Sequence, residues 1–227
     1  MKSLAFYLRP VFSMAILWLP FLMYSCETDS YETGEGEYSL MRGDLCDLSV
    51  NSLRQATAFV TDDGDSYQLD VPYAAKWIQT PDSTYRTLIY YNKVSAGVAQ
   101  LVNIGTVVTL GPIPHWRMEN QTQDPMGLES AWISKNGKYL NLGLLMKTGR
   151  ISDEELPHNI ALVQDTLCVR DDGKCSAYYR FLHSQNGIPE YYTNRRFVSI
   201  LLPDEKPDTI YFSMMTYDGV LTRVFVP

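Results

Sequence analysis

The stretch KYLNLGLLMK, residues 138–147, decides the fold class of this chain. Leu140, Leu142, Leu144 and Met146 recur at every second position, and the residues between them are mainly polar or small. Because successive side chains of a β-strand point to opposite faces, this alternation predicts a strand with one apolar face turned toward a core. The stretch therefore predicts that the chain is built from β-sheets.

A second decisive stretch lies near the C-terminus, TIYFSMMTYDGVLTRVFVP, residues 209–227. Asp218-Gly219 stands between two β-rich runs, a dipeptide that favours a two-residue type I′ turn. The two runs are therefore predicted to form an antiparallel hairpin. That turn predicts these cross-strand pairs: Tyr217 with Val220, and Phe212 with Phe225.

Other short runs rich in Val, Ile, Tyr, Phe and Thr alternate with clusters of Asp, Asn, Gly and Pro. This spacing is typical of all-β domains. The following runs in the second half join the two stretches above in a predicted antiparallel β-sandwich: 159–163, 176–183 and 196–202. Five strands are predicted in the first half and suit a small closed OB-like barrel: 38–50, 55–61, 66–71, 85–94 and 98–110.

A proline-rich joint at 111–125, GPIPHWRMENQTQDP, separates the two halves. Proline fixes φ and removes a backbone donor, so the strand before the joint cannot simply continue through it. The predicted domains are a barrel at 38–118 and a sandwich at 119–227. Residues 72–79, between the third and fourth strands, are predicted to hold a turn of helix.

The first 25 residues have the layout of an export signal, with Lys2 and Arg9 ahead of an apolar run and Ser25 just before Cys26. The run is short of the ~20 apolar residues of a membrane-spanning helix. The junction resembles the lipobox of bacterial lipoproteins, whose cysteine is acylated after cleavage. Residues 1–25 are thus predicted to be a lipoprotein signal peptide and Cys26 the lipidated N-terminus. The alternative is an ordinary secreted protein cut nearby.

Residues 26–37 are rich in acids, contain glycine and have little apolar surface, so a flexible acidic linker is predicted there. Acids behind a lipidated cysteine resemble the surface-export signal of Bacteroidota lipoproteins. We therefore expect an outer-membrane lipid anchor, with the chain facing either the periplasm or the cell surface. The formal net charge of −7 argues against nucleic acid as a partner, because phosphate backbones bind cationic proteins.

Three further cysteines agree with an exported protein. Cys168 and Cys175 bracket VRDDGK, which has the composition of a turn between strands, and could form a disulfide across that hairpin. Such a loop would stabilise the fold by roughly 2 to 3 kcal/mol. Cys46 is expected to be a small buried residue.

Several stretches together resemble the NigD-like lipoproteins, a family named after the nigrescin bacteriocin operon. The resemblance is carried by residues 67–77, 81–92, 124–147, 157–163 and 178–187. It implies an N-terminal OB-type barrel and a C-terminal β-sandwich. It also implies a function like that of a bacteriocin-immunity protein, with no catalytic residue to carry over.

The sequence contains no enzyme signature and no metal or cofactor motif. Asp62, Asp63 and Asp65 lack the spacing of an EF-hand calcium loop and fit a polar hairpin turn better. Histidines occur at three separate positions without the i, i+4 spacing of a zinc protease: His115, His158 and His183. No enzyme activity, cofactor or metal is therefore predicted.

The chain has 16 tyrosines, among them the adjacent pairs Tyr178-Tyr179 and Tyr191-Tyr192. Neighbours on a strand point to opposite faces, so at least one tyrosine of each pair could be exposed for ligand contact. Two functions fit such residues: a module that binds an envelope protein, or an accessory glycan-binding lipoprotein with an aromatic strip. The following tryptophans are expected in the core or between the domains: Trp77, Trp116 and Trp132.

Overall fold

The structure, a computed structural model, describes residues 40–149, 157–169 and 173–227. The predicted signal peptide, Cys26 and the acidic linker lie outside this part of the chain. Fourteen strands and one 3-10 turn at His115–Arg117 make up its regular structure. The predicted all-β class is confirmed.

Five strands close into the predicted barrel, in the order β1-β2-β3-β5-β4. Their bounds are β1 Arg42–Val50, β2 Ala56–Thr61, β3 Ser66–Tyr73, β4 Thr84–Ser95 and β5 Val98–Thr106. Three aromatic rings fill the interior: those of Phe59, Tyr67 and Tyr91, with centroids about 5 Å apart in each pair. The predicted OB-like barrel is therefore confirmed.

The predicted turn of helix between β3 and β4 is wrong. Residues 72–79 contain instead a single hydrogen-bonded turn, in which the Ile78 N–H donates to the Ala75 carbonyl at 3.1 Å. Ile78 is buried in the barrel core, and Trp77 packs beside it against Tyr85. One turn of helix is costly to form alone, so packing of these side chains decides the backbone path.

Two further sheets form the sandwich. The middle sheet has the order β6-β12-β9-β8, and the outer sheet has the order β14-β13-β11-β10-β7. Their strands are β6 Val108–Leu110, β7 Pro112–Pro114, β8 Gly127–Ile133, β9 Tyr139–Thr148, β10 Asn159–Val169, β11 Cys175–Ser184, β12 Tyr192–Leu201, β13 Thr209–Thr216 and β14 Gly219–Phe225. The apolar face of β9 packs into the core between the two sheets, as predicted.

The sandwich is not wholly antiparallel. β11 and β13 pair in parallel, because the chain crosses between them to the middle sheet as β12 and then returns. Two short strands also pair in parallel, β6 with β12 and β7 with β10. The sheet pairing therefore changes right after Thr106, upstream of the domain limits at 118 and 119 expected from the sequence. Pro112 and Pro114 are accommodated because β7 is an edge strand.

β13 and β14 form the predicted hairpin, but in a different register. The turn residues are Tyr217 and Asp218, and strand pairing resumes at Gly219. Gly219 has a φ of 109°, in a region that glycine adopts without steric strain. Asp218 has no positive φ. The predicted type I′ turn at Asp218-Gly219 is therefore wrong, and Phe212 lies opposite Arg223, two residues from its predicted partner.

Candidate functional site

A buried cluster of polar side chains joins the barrel to the exterior face of the middle sheet. Arg86 donates its two terminal nitrogens to the Asp62 carboxylate at 2.7 Å each, and its Nε to Ser199 Oγ at 3.0 Å. Asn141 accepts from Arg86 at 3.1 Å and donates to Asp62 at 2.8 Å. The guanidinium carbon also lies 3.9 Å from the Tyr139 ring centroid. We call Asp62, Arg86, Tyr139, Asn141 and Ser199 the arginine junction.

Neighbouring contacts extend the arginine junction along the boundary. Asp47 accepts a hydrogen bond from the Tyr139 hydroxyl at 2.9 Å and pairs with Lys138. Asp63 pairs with Lys135 at 2.7 Å. The acidic turn at 62–65 thus holds sandwich residues, which agrees with its interpretation as a polar hairpin turn. Each charged group of the arginine junction thus has a partner, and its contacts join the barrel to the middle sheet.

A groove of about 210 Å³ opens beside the arginine junction, between the barrel and the middle sheet. Leu45 and Leu88, paired across β1 and β4, form its barrel wall. Trp132 and Phe197 form its sandwich wall, in an edge-to-face arrangement at 6.3 Å. The remaining lining residues are Gly43, Asp44, Asp62 and Asp63. We call this space the junction groove.

The outer sheet carries an aromatic row on its solvent face. Tyr178 and Tyr211 lie opposite each other on β11 and β13, with their rings stacked at 4.7 Å and 7°. Thr166 lies opposite Tyr178 on β10, and the exposed Val224 lies opposite Tyr211 on β14. Tyr178 is 38% exposed. We call Thr166, Tyr178, Tyr211 and Val224 the aromatic row.

The charged side chains of Arg180 and Asp165, beside the aromatic row, form an ion pair. Arg180, the next outward-facing residue of β11, donates to both carboxylate oxygens of Asp165, at 2.9 and 2.7 Å, and to Gln121 at 2.8 Å. The guanidinium holds the pKa of Asp165 below its ordinary value, so this pair stays ionised. The aromatic row is therefore a surface without a charged member, bordered by a closed ion pair.

The four candidate tyrosines do not form one platform. Tyr179 is buried in the sandwich core, so only Tyr178 of the first pair is available. Tyr191 is 73% exposed and Tyr192 is also exposed, but both lie at the end of the middle sheet beside Thr148. Exposure of at least one tyrosine in each pair agrees with the strand alternation. Their separation onto different sheets could not be read from the sequence.

A second aromatic cluster, missed in the sequence, lies near Tyr191 and Tyr192. The Lys147 ammonium lies 4.0 Å from the Tyr217 ring centroid and 2.8 Å from the Glu190 carboxylate. This cation and its carboxylate partner give the second cluster charge, which the aromatic row lacks.

Two of the three separate histidines come together. His158 Nδ1 lies 2.9 Å from His183 Nε2, and His183 Nδ1 lies 3.1 Å from the Asp124 carbonyl oxygen. That carbonyl can only accept, so His183 donates to it from Nδ1, and His158 Nδ1 then donates to His183 Nε2. Burial lowers the pKa of both imidazoles from the ordinary histidine value. His158 Nε2 is buried and has no hydrogen-bond partner in the part of the chain described.

The tryptophans divide between buried and exposed positions. Trp77 packs against the barrel core, and Trp132 lies at the boundary between barrel and sandwich, as expected. Trp116 is 74% exposed, so its expected burial is wrong. It follows the edge strand β7 in the short 3-10 turn, where none of the described strands covers it.

The candidate disulfide cysteines lie at the ends of β10 and β11. Cys168 is opposite Ser176, and Cys175 is opposite Val169, so the two side chains leave opposite faces of the hairpin. Both thiols are free in the structure. The disulfide stays a prediction, and it needs a shift of one residue at the hairpin end. Cys46 is buried as expected, and burial raises the pKa of its thiol to about 12.

Neither a cluster of metal ligands nor a membrane-spanning helix occurs within residues 40–149, 157–169 and 173–227. Within these ranges no group of three or more His, Cys, Asp or Glu is placed to hold a metal ion. No helix there is long and apolar enough to cross a membrane.

Several solved structures share this fold. A NigD-like immunity protein from Bacteroides caccae matches with 20% identity and a TM-score of 0.64, over 82% of this chain and 97% of its own. A protein of Parabacteroides distasonis described as a candidate toxin-related protein matches with 18% identity and a TM-score of 0.61, over 82% and 92%. A candidate lipoprotein from Bacteroides fragilis matches with 11% identity and a TM-score of 0.55, over 82% and 96%.

No protein-family model matches the chain, and no curated protein matches it. The identities to the solved structures are low, so these similarities establish the fold alone. At that level the resemblance to NigD-like proteins is confirmed.

Proposed function

We propose, from the fold that this chain shares with NigD-like proteins, that it is a non-catalytic module of the bacterial envelope that binds a protein partner. Its role would resemble that of a bacteriocin-immunity protein. The solved structures with this fold include one described as an immunity protein and one described as toxin-related. Among the features of this chain, the observation that carries the proposal is the aromatic row.

The aromatic row has the composition of an interface centre. Cores of protein–protein interfaces are depleted in charge and enriched in tyrosine and methionine. The aromatic row has no charged member, and Met215 and the exposed Val220 continue the same face of the outer sheet. On a chain with a formal charge of −7, such a face is suited to contact with another protein surface.

The stacking of the two tyrosines favours a protein partner over a glycan. A sugar ring packs against the free face of an aromatic ring. Tyr178 and Tyr211 cover one face of each other, so each ring keeps one face, its edges and its hydroxyl for contact. Edges and hydroxyls suit hydrogen bonding and packing against a polypeptide, as tyrosines do in binding surfaces.

The proposal includes a lipid anchor at Cys26 that holds the module at the outer membrane, facing the periplasm or the cell surface. A structural neighbour described as a candidate lipoprotein supports the lipid anchor. The acidic linker would separate the anchor from the barrel, so that the outer sheet can meet a partner.

The proposed function is tested by killing of producer cells. Cells that lack this chain are expected to be killed by spent medium from wild-type cultures, and plasmid-borne wild-type chain is expected to restore survival. The double variant Tyr178→Ala, Tyr211→Ala is expected to lower protection at least about tenfold, because central tyrosines often contribute 2 kcal/mol or more to binding.

The matched control is Tyr191→Ala, which removes an exposed tyrosine outside the aromatic row. It is expected to protect like the wild type, with equal protein levels by immunoblot. Survival of the deletion strain in spent medium would contradict an immunity role. Full protection by the double variant would contradict the aromatic row as the contact.

A further inference from the structure

One edge strand of the sandwich lacks the features that block pairing with another chain. Among the described strands, four lie at the edges of the two sandwich sheets: β6, β7, β8 and β14. β6 and β7 have three residues each, and β7 contains two prolines. The pairing of β8 is interrupted by a register shift after Leu128. Short length, proline and bulges all hinder the addition of a strand, and β14 shows none of them across Gly219–Phe225.

The hairpin register identifies the backbone groups of β14 that face away from β13. Thr216 and Gly219 are paired across the two-residue turn, and a pair in that position exchanges its backbone hydrogen bonds. Because hydrogen-bonded pairs alternate along an antiparallel ladder, Leu221, Arg223 and Phe225 bond to β13. The N–H and C=O groups of the residues between them point to the open edge: Val220, Thr222 and Val224.

The side chains at these three positions form an uncharged row. Val220 and Val224 are exposed, and Thr222 lies exposed between them on the same face of the outer sheet. The row reads the same in both directions, with one valine on each side of the threonine. Two such rows match each other when they run antiparallel, which is what a two-fold symmetric contact between identical chains requires.

We propose that β14 pairs antiparallel with β14 of a second copy of this chain, about a two-fold axis at Thr222. Thr222 then lies opposite Thr222 of the second copy, and Val220 lies opposite Val224 of the second copy. This register pairs all three outward positions with one another. It joins the two five-stranded outer sheets into one continuous sheet and brings both aromatic rows onto one face.

Arg223 favours this register over the next one toward the C-terminus. It is the only charged residue in Gly219–Phe225, and it lies on the core-facing side of β14, opposite Phe212. With the axis at Thr222, Arg223 faces Leu221 of the second copy, and its apolar stem can lie along that side chain. Moving the axis by one residue would place Arg223 directly opposite Arg223 of the second copy, and like charges in that position are destabilising.

This contact is separate from the surface of the proposed function. The pairing occurs at the edge of the outer sheet, so Tyr178 and Tyr211, on β11 and β13, stay open to a protein partner. The two proposals therefore concern different partners and can fail separately.

Cross-linking in cells tests the contact on the full chain. Thr222→Cys places two thiols opposite each other at the axis, where the Cα atoms of a hydrogen-bonded pair are about 5.5 Å apart, a distance that a disulfide spans. The background carries Cys168→Ser and Cys175→Ser, so that the native thiols of the outer sheet do not contribute. After oxidation with copper phenanthroline, a disulfide-linked dimer is expected on non-reducing gels. Val71→Cys is the matched control, because Val71 is an exposed valine of the barrel, and it is expected to stay monomeric.

A charge exchange at the same position tests the symmetry. Thr222→Lys and Thr222→Glu are each expected to reduce co-purification of two differently tagged copies about two- to fivefold, because like charges then meet at the axis. Thr222 is exposed, so neither change alters the core. Combining one copy that carries Thr222→Lys with one that carries Thr222→Glu is expected to restore co-purification to the wild-type level or above.

No disulfide-linked dimer in Thr222→Cys, or equal cross-linking in Val71→Cys, would overturn the pairing. Lack of co-purification in the wild type, or failure of the oppositely charged copies to associate, would also overturn it. These results bear on the edge of β14 alone and leave the killing test of the double tyrosine variant unaffected.

Discussion

At the scale of single residues, Arg86 shows how a buried charge is accommodated. Its side chain is 3% exposed, and its three donor nitrogens contact Asp62, Asn141 and Ser199. A buried charge without partners would cost several kcal/mol, and it is tolerated here because each nitrogen is satisfied. The partners come from both the barrel and the sandwich, so one side chain couples the two.

Replacing this arginine should therefore destabilise the whole described unit. Arg86→Met leaves the Asp62 carboxylate without its cation, and the expected loss is about 3 to 5 kcal/mol in the free energy of unfolding. Urea unfolding followed by tryptophan fluorescence measures it. Arg195→Met is the control, since Arg195 forms an exposed ion pair with Glu129 worth about 0.2 to 1 kcal/mol. Equal losses in the two variants would contradict the role of the arginine junction.

At the scale of elements, the histidine pair ties the start of β10 to the end of β11. His158 immediately precedes β10, and His183 is the second-last residue of β11. The His183 ring contacts His158 and donates a hydrogen bond to the Asp124 carbonyl. Such ties matter where strands end, because the backbone ladder no longer supplies all contacts. His183 must be neutral in this arrangement, because its Nε2 accepts a hydrogen bond from His158 while its Nδ1 donates one.

This pair predicts a stability that falls in acid. Burial lowers the pKa of both imidazoles below the ordinary value of 6.5, so the unfolded chain binds more protons as the pH falls. Their contribution is complete above pH 6.5 and is lost as the pH drops toward the lowered values. His158→Asn should reduce the slope of unfolding free energy between pH 7 and pH 5. His115→Asn should keep it, and a wild-type slope in His158→Asn would refute the prediction.

At the scale of the whole molecule, the barrel covers a face that the sequence suggests is open to solvent. Tyr139, Asn141 and Gly143 alternate with the apolar residues of β9 and are buried all the same, because the barrel packs on that side of the middle sheet. Within the part of the chain that the structure describes, nothing covers the aromatic row of the outer sheet in this way, and Tyr178 and Val224 remain exposed. The exposed face of the outer sheet is thus where the proposed partner would bind.

The proposed lipidation of Cys26 predicts where the whole molecule is found in the cell. Each buried methylene of an acyl chain contributes about 0.8 kcal/mol, so several chains retain a protein firmly at a membrane. Cys26→Ala should move the chain from the membrane to the soluble fraction, whereas Cys168→Ser should leave the chain in the membrane fraction. Fractionation and the mass of the N-terminal peptide measure this. An unacylated N-terminus in the wild type would contradict the anchor.

The sequence by itself determined the all-β class, most of the longer strands and the face that β9 buries, because side-chain alternation follows from the geometry of a single strand. It did not predict β7 or β8, and it joined β6 to the last strand of the barrel. The hairpin register at Gly219 shows the limit of this local information: a shift of two residues preserves every face, so the pattern cannot distinguish the two registers.

Only the tertiary structure decided which distant residues meet. Arg86 with Asn141, Tyr178 with Tyr211, and His158 with His183 are each brought together by sheet pairing or by packing of the barrel on the sandwich. Such contacts depend on how all the strands are ordered and connected. Side-chain alternation within one strand does not specify that order, which is set by the packing free energy of the whole chain.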